Sequence, residues 1–249
     1  MIPKIIHYCW FGGNPLPKDA TKYIASWKKY FPDYEIKEWN ESNFNVNCCP
    51  YVKQAFEEKK YAFVSDYVRF YVLYHYGGIY FDTDVEVIRN MDHIINTGNF
   101  MGFEKSLATK STNKKGKLGV NPGLGIGATQ GLSFYKEVLE LYETKSSFCM
   151  SEGTVVDYTT DILRKHGFLE LHQIQKIADI NIYTADYFCP MDSTTGIVTK
   201  TENTVSIHHY SCSWMNHNTL SWKLHLIKNW LISVLGDKLI MNIRNVIKG

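Results

Sequence analysis

No stretch of the 249 residues is apolar for long enough to span a bilayer, which takes about 18 consecutive apolar residues. The N-terminus, MIPKIIHYCWFGG, lacks the long apolar core of a secretory leader. Together these absences set the expectation of a cytoplasmic protein. A surplus of one charge is also lacking. Lys and Arg number 27 against 25 Asp and Glu, a formal net of +2, so nothing demands a nucleic-acid partner. The six cysteines (Cys9, Cys48, Cys49, Cys149, Cys189, Cys212) show no CxxC pair and no disulfide-like rhythm, and they read as reduced thiols. Internal repeats and an interdomain linker are absent as well. The expectation is one α/β domain over residues 1–219, followed by a tail over 220–249.

What the chain does have is apolar and aromatic mass. Hydrophobic residues make up 45%, ample for a buried core. Aromatics reach 14%, with 17 Tyr, and such rings fill cores or line sugar and base pockets. Residues 3–10 read as a strand closed by FGGNPLP, and 17–30 as a helix with Ile24 and Trp27 at helical spacing. Pro32 and Asp33 break that helix, and 34–39 alternates like a second strand. This β-α-β order predicts a parallel sheet. Residues 51–76 read as one long helix stopped by Gly77-Gly78, and IYFDTDVEVI (79–88) as the strand after it. A strand is expected at 100–104, then a polar, basic, mobile loop over 105–119. After NPGLGIGA (121–128) come helices at 132–142 and 154–165, then strand-like pieces near 180–188 and 204–210.

One spacing carries chemistry. Asp82 and Asp84 interrupt an apolar, β-branched run, and on a strand their alternation puts both carboxylates on one side. Two acids at the lip of a buried strand are costly without positive charge beside them. A hard divalent cation, Mg²⁺ or Mn²⁺, shared with phosphate oxygens, is a natural partner. The spacing alone equally allows a purely structural pair. Upstream, Asp66 and Arg69 are three apart on a predicted helix and share a face. An exposed ion pair there would be worth little. Their neighbours are nearly all apolar, so the pair is expected half-buried and aimed at something polar.

Three blocks, IPKIIHYCWFGG, SDYVRFYVLYHYGGIYFDTDVE and IHHYSCSW, form an array over residues 2–214. It resembles the glycosyltransferases with a DxD sugar region, family 32, which include bacterial capsule enzymes and yeast-type mannosyltransferases. It is similar also to the catalytic domains of large clostridial glucosylating toxins. The resemblance implies a GT-A fold, the Rossmann-like α/β fold of nucleotide-diphospho-sugar transferases, with a helical C-terminal tail. It implies that His7, Trp10 and the Gly12-Gly13 turn end the strand that meets the nucleotide base and ribose, with core packing the other reading for Trp10. Ser65, Asp66 and Arg69 would hold ribose and sugar hydroxyls. Tyr80, just ahead of the acids, is a donor contact or a packing residue. Asp82 would meet ribose and metal, and Asp84 the metal. Adjacent His208 and His209 point to opposite faces of a strand, so at most one meets the metal; His208 is favoured and His209 stays open. Trp214 would lie near the donor phosphates. Asn121 would contact sugar or acceptor, or simply belong to a Gly-rich turn. Asp161, at the start of the TTDIL helix, would bind donor hydroxyls, although the Thr-Gly-Pro element frequent in the family's corresponding region is missing here.

The activity so implied is transfer of a hexose, with retention, from a UDP- or GDP-sugar to a glycan or lipid-linked oligosaccharide in surface-polysaccharide assembly. Asp82, Asp84, Arg69 and Asp161 would be the catalytic set, with Mn²⁺ or Mg²⁺ as cofactor. Two other readings are a transferase that glycosylates a protein and a non-catalytic protein that binds nucleotide-sugars or carbohydrate; the intact acids and the Asp66/Arg69 pair argue for activity. The segment from 220 on carries Lys223, Lys228, Lys238, Arg244 and Lys248 against Asp237, with Trp222 and Trp230 among its apolar residues. A basic amphipathic stretch of this kind either lies on an anionic membrane, here the inner face of the cell membrane, or docks on the domain.

Overall fold

The computed structural model describes residues 1–105, 118–149, 153–193 and 196–211. The first strand, β1 (Ile5–Cys9), pairs in parallel with β2 (Glu35–Trp39), and helix α1 (Lys18–Tyr30) connects them. This is the β-α-β unit that the opening sequence predicts. On its other side β1 pairs in parallel with β3 (Gly78–Tyr80), which follows helices α2 (Pro50–Glu57) and α3 (Tyr61–Tyr76). After β4 (Val85–Val87) and the short α4 (Asp92–Ile95) come β5 (Phe100–Lys105), β6 (Leu118–Val120) and β7 (Ile126–Ala128). Helices α5 (Ser133–Glu143) and α6 (Val155–Lys165) precede β8 (Gln175–Ile177) and β9 (Ile180–Tyr183), and α7 (Ala185–Phe188) leads to β10 (Ser206–His208).

The main sheet runs β2-β1-β3-β7-β5-β9-β8, with β6 beside β5. It is mixed: β7 is antiparallel to both β3 and β5, and β5 is parallel to β9. Two reversals cancel, so β1, β3 and β5 all point the same way and end on one edge. Open α/β sheets bind ligands beyond the carboxyl ends of such strands. The α/β architecture that the sequence predicts is thus what the structure shows.

Local differences from the expected elements have physical causes. The helix expected over 51–76 is two helices. Lys59 takes a left-handed conformation (φ 57°) and turns the chain between α2 and α3. Both helices bury dense apolar faces, so periodicity gives no sign of the break. At the far end, Gly77 stops α3 as expected, its N–H donating to Leu73 O. The strand expected over 79–88 is also divided. β3 stays in the main sheet, while β4 leaves it to pair with β10 in a two-stranded ribbon. Phe81 and Val85, both fully buried, fix the ends of the connection, and residues 82–84 form its turn. Each buried side chain of that size contributes about 1.5–3 kcal/mol toward holding the turn in place. The expected loop is shorter at both ends, since Lys105, Leu118 and Gly119 belong to β5 and β6; the rest of it, 106–117, lies outside the described residues. The strand near 180–188 ends at Tyr183 and gives way to α7. The tail over 220–249 and Trp214 lie outside the described residues too. Among the described residues no helix is long and apolar enough to cross a membrane.

Candidate active site

A cleft of about 940 Å³ opens at the carboxyl edge of β1, β3 and β5. Its floor is the acid turn. Val85 N–H donates to Asp82 O (3.0 Å), closing residues 82–85 into a tight turn. The expectation that strand alternation aligns the two acids is therefore corrected: the turn aligns them. Asp82, Asp84 and His208 each offer one ligand atom, and these atoms lie within 4.8 Å of one another.

Asp84 is held from three sides by the last residue of β10 and the segment after it. His208 Nε2 lies 3.2 Å from Asp84 Oδ1, Ser211 N–H donates to Oδ2 (2.8 Å), and His209 N–H donates to its backbone oxygen (2.9 Å). Tyr210, in a left-handed conformation (φ 48°), curls the chain so that Ser211 reaches the carboxylate. A non-glycine residue held there stores strain, a common feature of functional sites. Burial pushes the Asp84 carboxyl up, but His208 and the Ser211 N–H outweigh it and hold the group down at about 2. Burial pulls His208 down, and the Asp84 charge more than reverses this, so its pKa lies above 6.5. His208 Nδ1 is buried without a partner among the described residues.

Asp82 is built into a second network. Its Oδ1 accepts from the Tyr80 hydroxyl (2.9 Å) and lies 3.3 Å from Arg69 Nη2. The same Nη2 donates to Asp66 Oδ1 (2.9 Å), and Arg69 Nε donates to Ser65 O (3.1 Å). The guanidinium sits 5.1 Å from the Tyr80 ring centre, a cation–π contact. Asp66 and Arg69 are more deeply buried than the expected half-buried pair. Burial raises the Asp66 carboxyl to about 7 against the pull of Arg69, and it raises Asp82 too. Gly123 closes the cradle: a Cβ there would meet Asp82 Oδ2 at 2.3 Å.

Of the residues expected from the sequence, Trp10, Ser65, Asp66, Arg69, Asp82, Asp84, Asn121, Asp161 and His208 line this one cleft. Trp10 is half-buried, with its Nε1–H donating to Asn14 O (2.6 Å) and its ring at the wall. Others lie elsewhere. His7 is fully buried in the sheet: Trp39 Nε1–H donates to its Nδ1 (3.0 Å), so its Nε2–H donates to Gly77 O (2.8 Å). Burial lowers its pKa to about 4, and this neutral core residue does not reach the cleft. Gly12 lies behind Tyr61, with its N–H bound to the Glu41 carboxylate (3.1 Å). Tyr80 is buried and acts on the site through Asp82 and Arg69. His209 faces away, bonded to Glu86 Oε2 (2.9 Å) and stacked on Tyr23. The adjacent histidines do point apart, and His208 is the one at the acids. Asp161 lies well inside α6 rather than at its start, exposed and paired with Arg164; Thr154 caps that helix.

Sequence reasoning missed Glu104, Gly123, Tyr210 and Ser211. Glu104 carries a readable signal, an apolar strand ending in an acid (FMGFE), as IYFD does. Tyr210 and Ser211 carry none, because their role depends on a backbone turn.

Three described groups converge with oxygen-rich, partly compensated chemistry and an orphaned imidazole nitrogen nearby. This donor set fits a divalent cation. Two carboxylates face one imidazole, and the Arg69 guanidinium is already shared between Asp66 and Asp82, so the turn can accept further positive charge.

Residues 17–101 match the family described as glycosyltransferase sugar-binding region containing DXD motif. Inositol phosphoceramide mannosyltransferase 3 of Schizosaccharomyces pombe is 32% identical over 121 residues, 42% of this chain and 34% of that one. An uncharacterised glycosyltransferase of Acanthamoeba polyphaga mimivirus is 24% identical over 230 residues, 87% of this chain and 85% of that one. The solved PaToxG glycosyltransferase superposes with a TM-score of 0.49 at 20% identity, covering 66% of this chain and 69% of its own. The chain thus spans 34% of the length of that yeast mannosyltransferase. The resemblance read from the sequence blocks is borne out over the stretch that carries Asp66, Arg69, Asp82 and Asp84.

Proposed function

We propose that this chain is a metal-dependent, retaining glycosyltransferase that moves a hexose from a UDP- or GDP-sugar to a glycan or lipid-linked acceptor in surface-polysaccharide assembly. The observation that carries the reading is the convergence of Asp82, Asp84 and His208 with the buried Arg69–Asp66 pair at one carboxyl-edge cleft. The match over 17–101 supports the transferase class. Asp82, Asp84 and His208 would hold Mn²⁺ or Mg²⁺, which when bound neutralises charge on the leaving diphosphate. Arg69 fixes Asp66 and Asp82 in place before donor arrives, so the cost of ordering them is met on folding. Trp10 offers a ring to the nucleotide at the β1 end of the cleft. In transfer, the acceptor oxygen bonds to the anomeric carbon, the carbon–phosphate-oxygen bond breaks, and the acceptor proton passes to the departing diphosphate. No dedicated protein base is then required. The protein is proposed to work in the cytoplasm, with 220–249 touching the inner face of the membrane.

The test is release of nucleoside diphosphate from UDP- and GDP-sugars with and without Mn²⁺. Wild type is expected to turn over only with metal. Asp84→Asn is expected to lose at least about a hundredfold in rate, because a charged ligand is removed from the metal that would neutralise the diphosphate. Metal-independent turnover, or full activity in Asp84→Asn, would refute the reading. A protein that binds these donors tightly but never turns them over would favour a non-catalytic role.

A further inference from the structure

We infer that Glu104 is the recognition residue for the transferred sugar, accepting hydrogen bonds from its hydroxyls with the oxygen that the protein leaves open. This assignment rests on the proposed transferase reading and deepens it. Glu104 is the last residue but one of β5 and lines the same cleft as the acid turn. Its Oε2 accepts two neutral hydrogen bonds, from Asn121 Nδ2 (2.9 Å) and from the Tyr210 hydroxyl (3.0 Å). Both donors are themselves fixed. Asn121 Oδ1 accepts from Gly123 N–H (2.8 Å), which sets the amide so that its NH₂ faces Glu104. The Tyr210 oxygen contacts Cys189 Sγ (2.8 Å), and its ring stands edge-on to His208 at 4.4 Å. Three separate stretches of chain thus converge to aim one carboxylate. Its other oxygen, Oε1, takes no hydrogen bond from any described residue, and no cation pairs with Glu104 among them.

A carboxylate fixed by neutral donors, with one oxygen open to a cleft, is an acceptor for hydroxyl groups. It is a poor neighbour for phosphate, which like charge repels. The sheet itself says which part of the donor reaches it. Trp10 follows β1, Asp82 follows β3, and Glu104 is next to last in β5, all on the same edge. In the order β1-β3-β7-β5, one strand spacing separates Trp10 from the acids and two separate the acids from Glu104. Counted along the sheet, the strand that carries Glu104 therefore lies beyond the acids, on the side away from Trp10. A nucleotide-diphosphate sugar laid along this edge with its base at Trp10 and its phosphates at the acid turn puts its sugar at Glu104. The reversed donor would set the base against an unpaired carboxylate and the sugar against Trp10, leaving Glu104's open oxygen without a hydroxyl partner.

The experiment compares UDP with UDP-glucose and GDP with GDP-mannose, each with Mn²⁺, by calorimetry and by donor hydrolysis, in wild type, Glu104→Gln and Glu104→Asp. Glu104→Gln keeps shape and an acceptor oxygen for Tyr210, and thermal melting checks that it folds. Expected is an unchanged Kd for the bare diphosphates. The sugar nucleotide should lose at least about tenfold in affinity or kcat/KM, the loss of a hydrogen bond to a charged acceptor. Glu104→Asp, shorter by one methylene, should lose similarly. Equal weakening of diphosphate and sugar nucleotide would overturn the assignment, since a structural role moves both. A wild type that uses one of these donors while Glu104→Gln matches it overturns this assignment alone. A wild type that neither binds nor hydrolyses any of them overturns the transferase reading along with it.

Discussion

Arg69 serves the buried Asp66 and the half-buried Asp82 at once, and its removal tests whether the charge arithmetic of the site is right. In Arg69→Met the unbranched apolar side chain keeps much of the stem's packing volume, so the loss is mainly electrostatic. Arg69 and Asp66 side chains are only 4% and 10% exposed, so solvent screens this pair little. Leaving a buried charge unpaired costs about 3–5 kcal/mol. For a chain of this length each kcal/mol moves Tm by ~2–4 °C, giving a drop of roughly 6–20 °C at neutral pH or above. The sign of the pH dependence follows from Asp66. Burial sets its folded pKa at about 7, above the ordinary value of 3.8. Such a group contributes stability that is fully present below the unfolded pKa and is lost as pH rises through the folded one. Without Arg69 both Asp66 and Asp82 move further up, and once protonated they need no cation. The penalty of Arg69→Met should therefore be full at pH 8 and much smaller at pH 5.5. Urea denaturation of wild type and variant at both pH values, with EDTA present, measures it. A penalty equal at the two pH values, or below about 1 kcal/mol at pH 8, would refute the reasoning.

The other predictions are shorter. Gly123→Ala should weaken Mn²⁺ binding by about tenfold or more in calorimetry, because its Cβ would displace Asp82 Oδ2 from 2.3 Å; unchanged affinity would show that Asp82 is not a ligand. Metal must displace the proton that Asp84 holds on His208, whose pKa lies above 6.5, so Mn²⁺ affinity should rise with pH up to that pKa and then level off. Counting protons in buffers of different ionisation enthalpy tests this, and no proton release at pH 6.5 would contradict it. Deleting 220–249 should release the protein from anionic liposomes at low salt, and full-length protein that fails to co-sediment would end the membrane proposal.

The sequence made the β1-α1-β2 unit legible because its periodicities are clean and Pro32-Asp33 marks the helix end. It made the acids legible because charge inside an apolar run is costly wherever the run folds. Three things were not legible. The break at Lys59 falls in the charged run 57–60, about one helical turn, which a reading by apolar density on either side passes over. The split of 79–88 between two sheets depends on β10, more than a hundred residues later in the chain. His7 looks like a site residue because it stands near the end of a strand at the cleft, yet its partners Trp39 and Gly77 come from neighbouring segments and make it a core residue. Local pattern identifies which residues are unusual. Which way they face is set by partners distant in sequence.

The division of 79–88 also explains how a site so rich in carboxylates can be stable before any cation binds. Had the run continued as one strand, Asp82 and Asp84 would share a ladder edge, side by side, with no room for separate partners. Leaving the main sheet after Phe81 turns the chain so that each acid meets its own compensating group. Asp82 falls to Arg69 and Tyr80 on the α3 side, and Asp84 to His208 and the Ser211 N–H on the β10 side. The two halves differ in kind. Arg69 cannot give up its proton, so Asp82 stays paired whatever enters the cleft. His208 can, so on its side the proton is exchangeable for metal. The permanent cation and the replaceable one therefore stand on opposite sides of the turn. A cation held between Asp82 and Asp84, as proposed above, would displace that proton while the Arg69 network that fixes the turn stays in place.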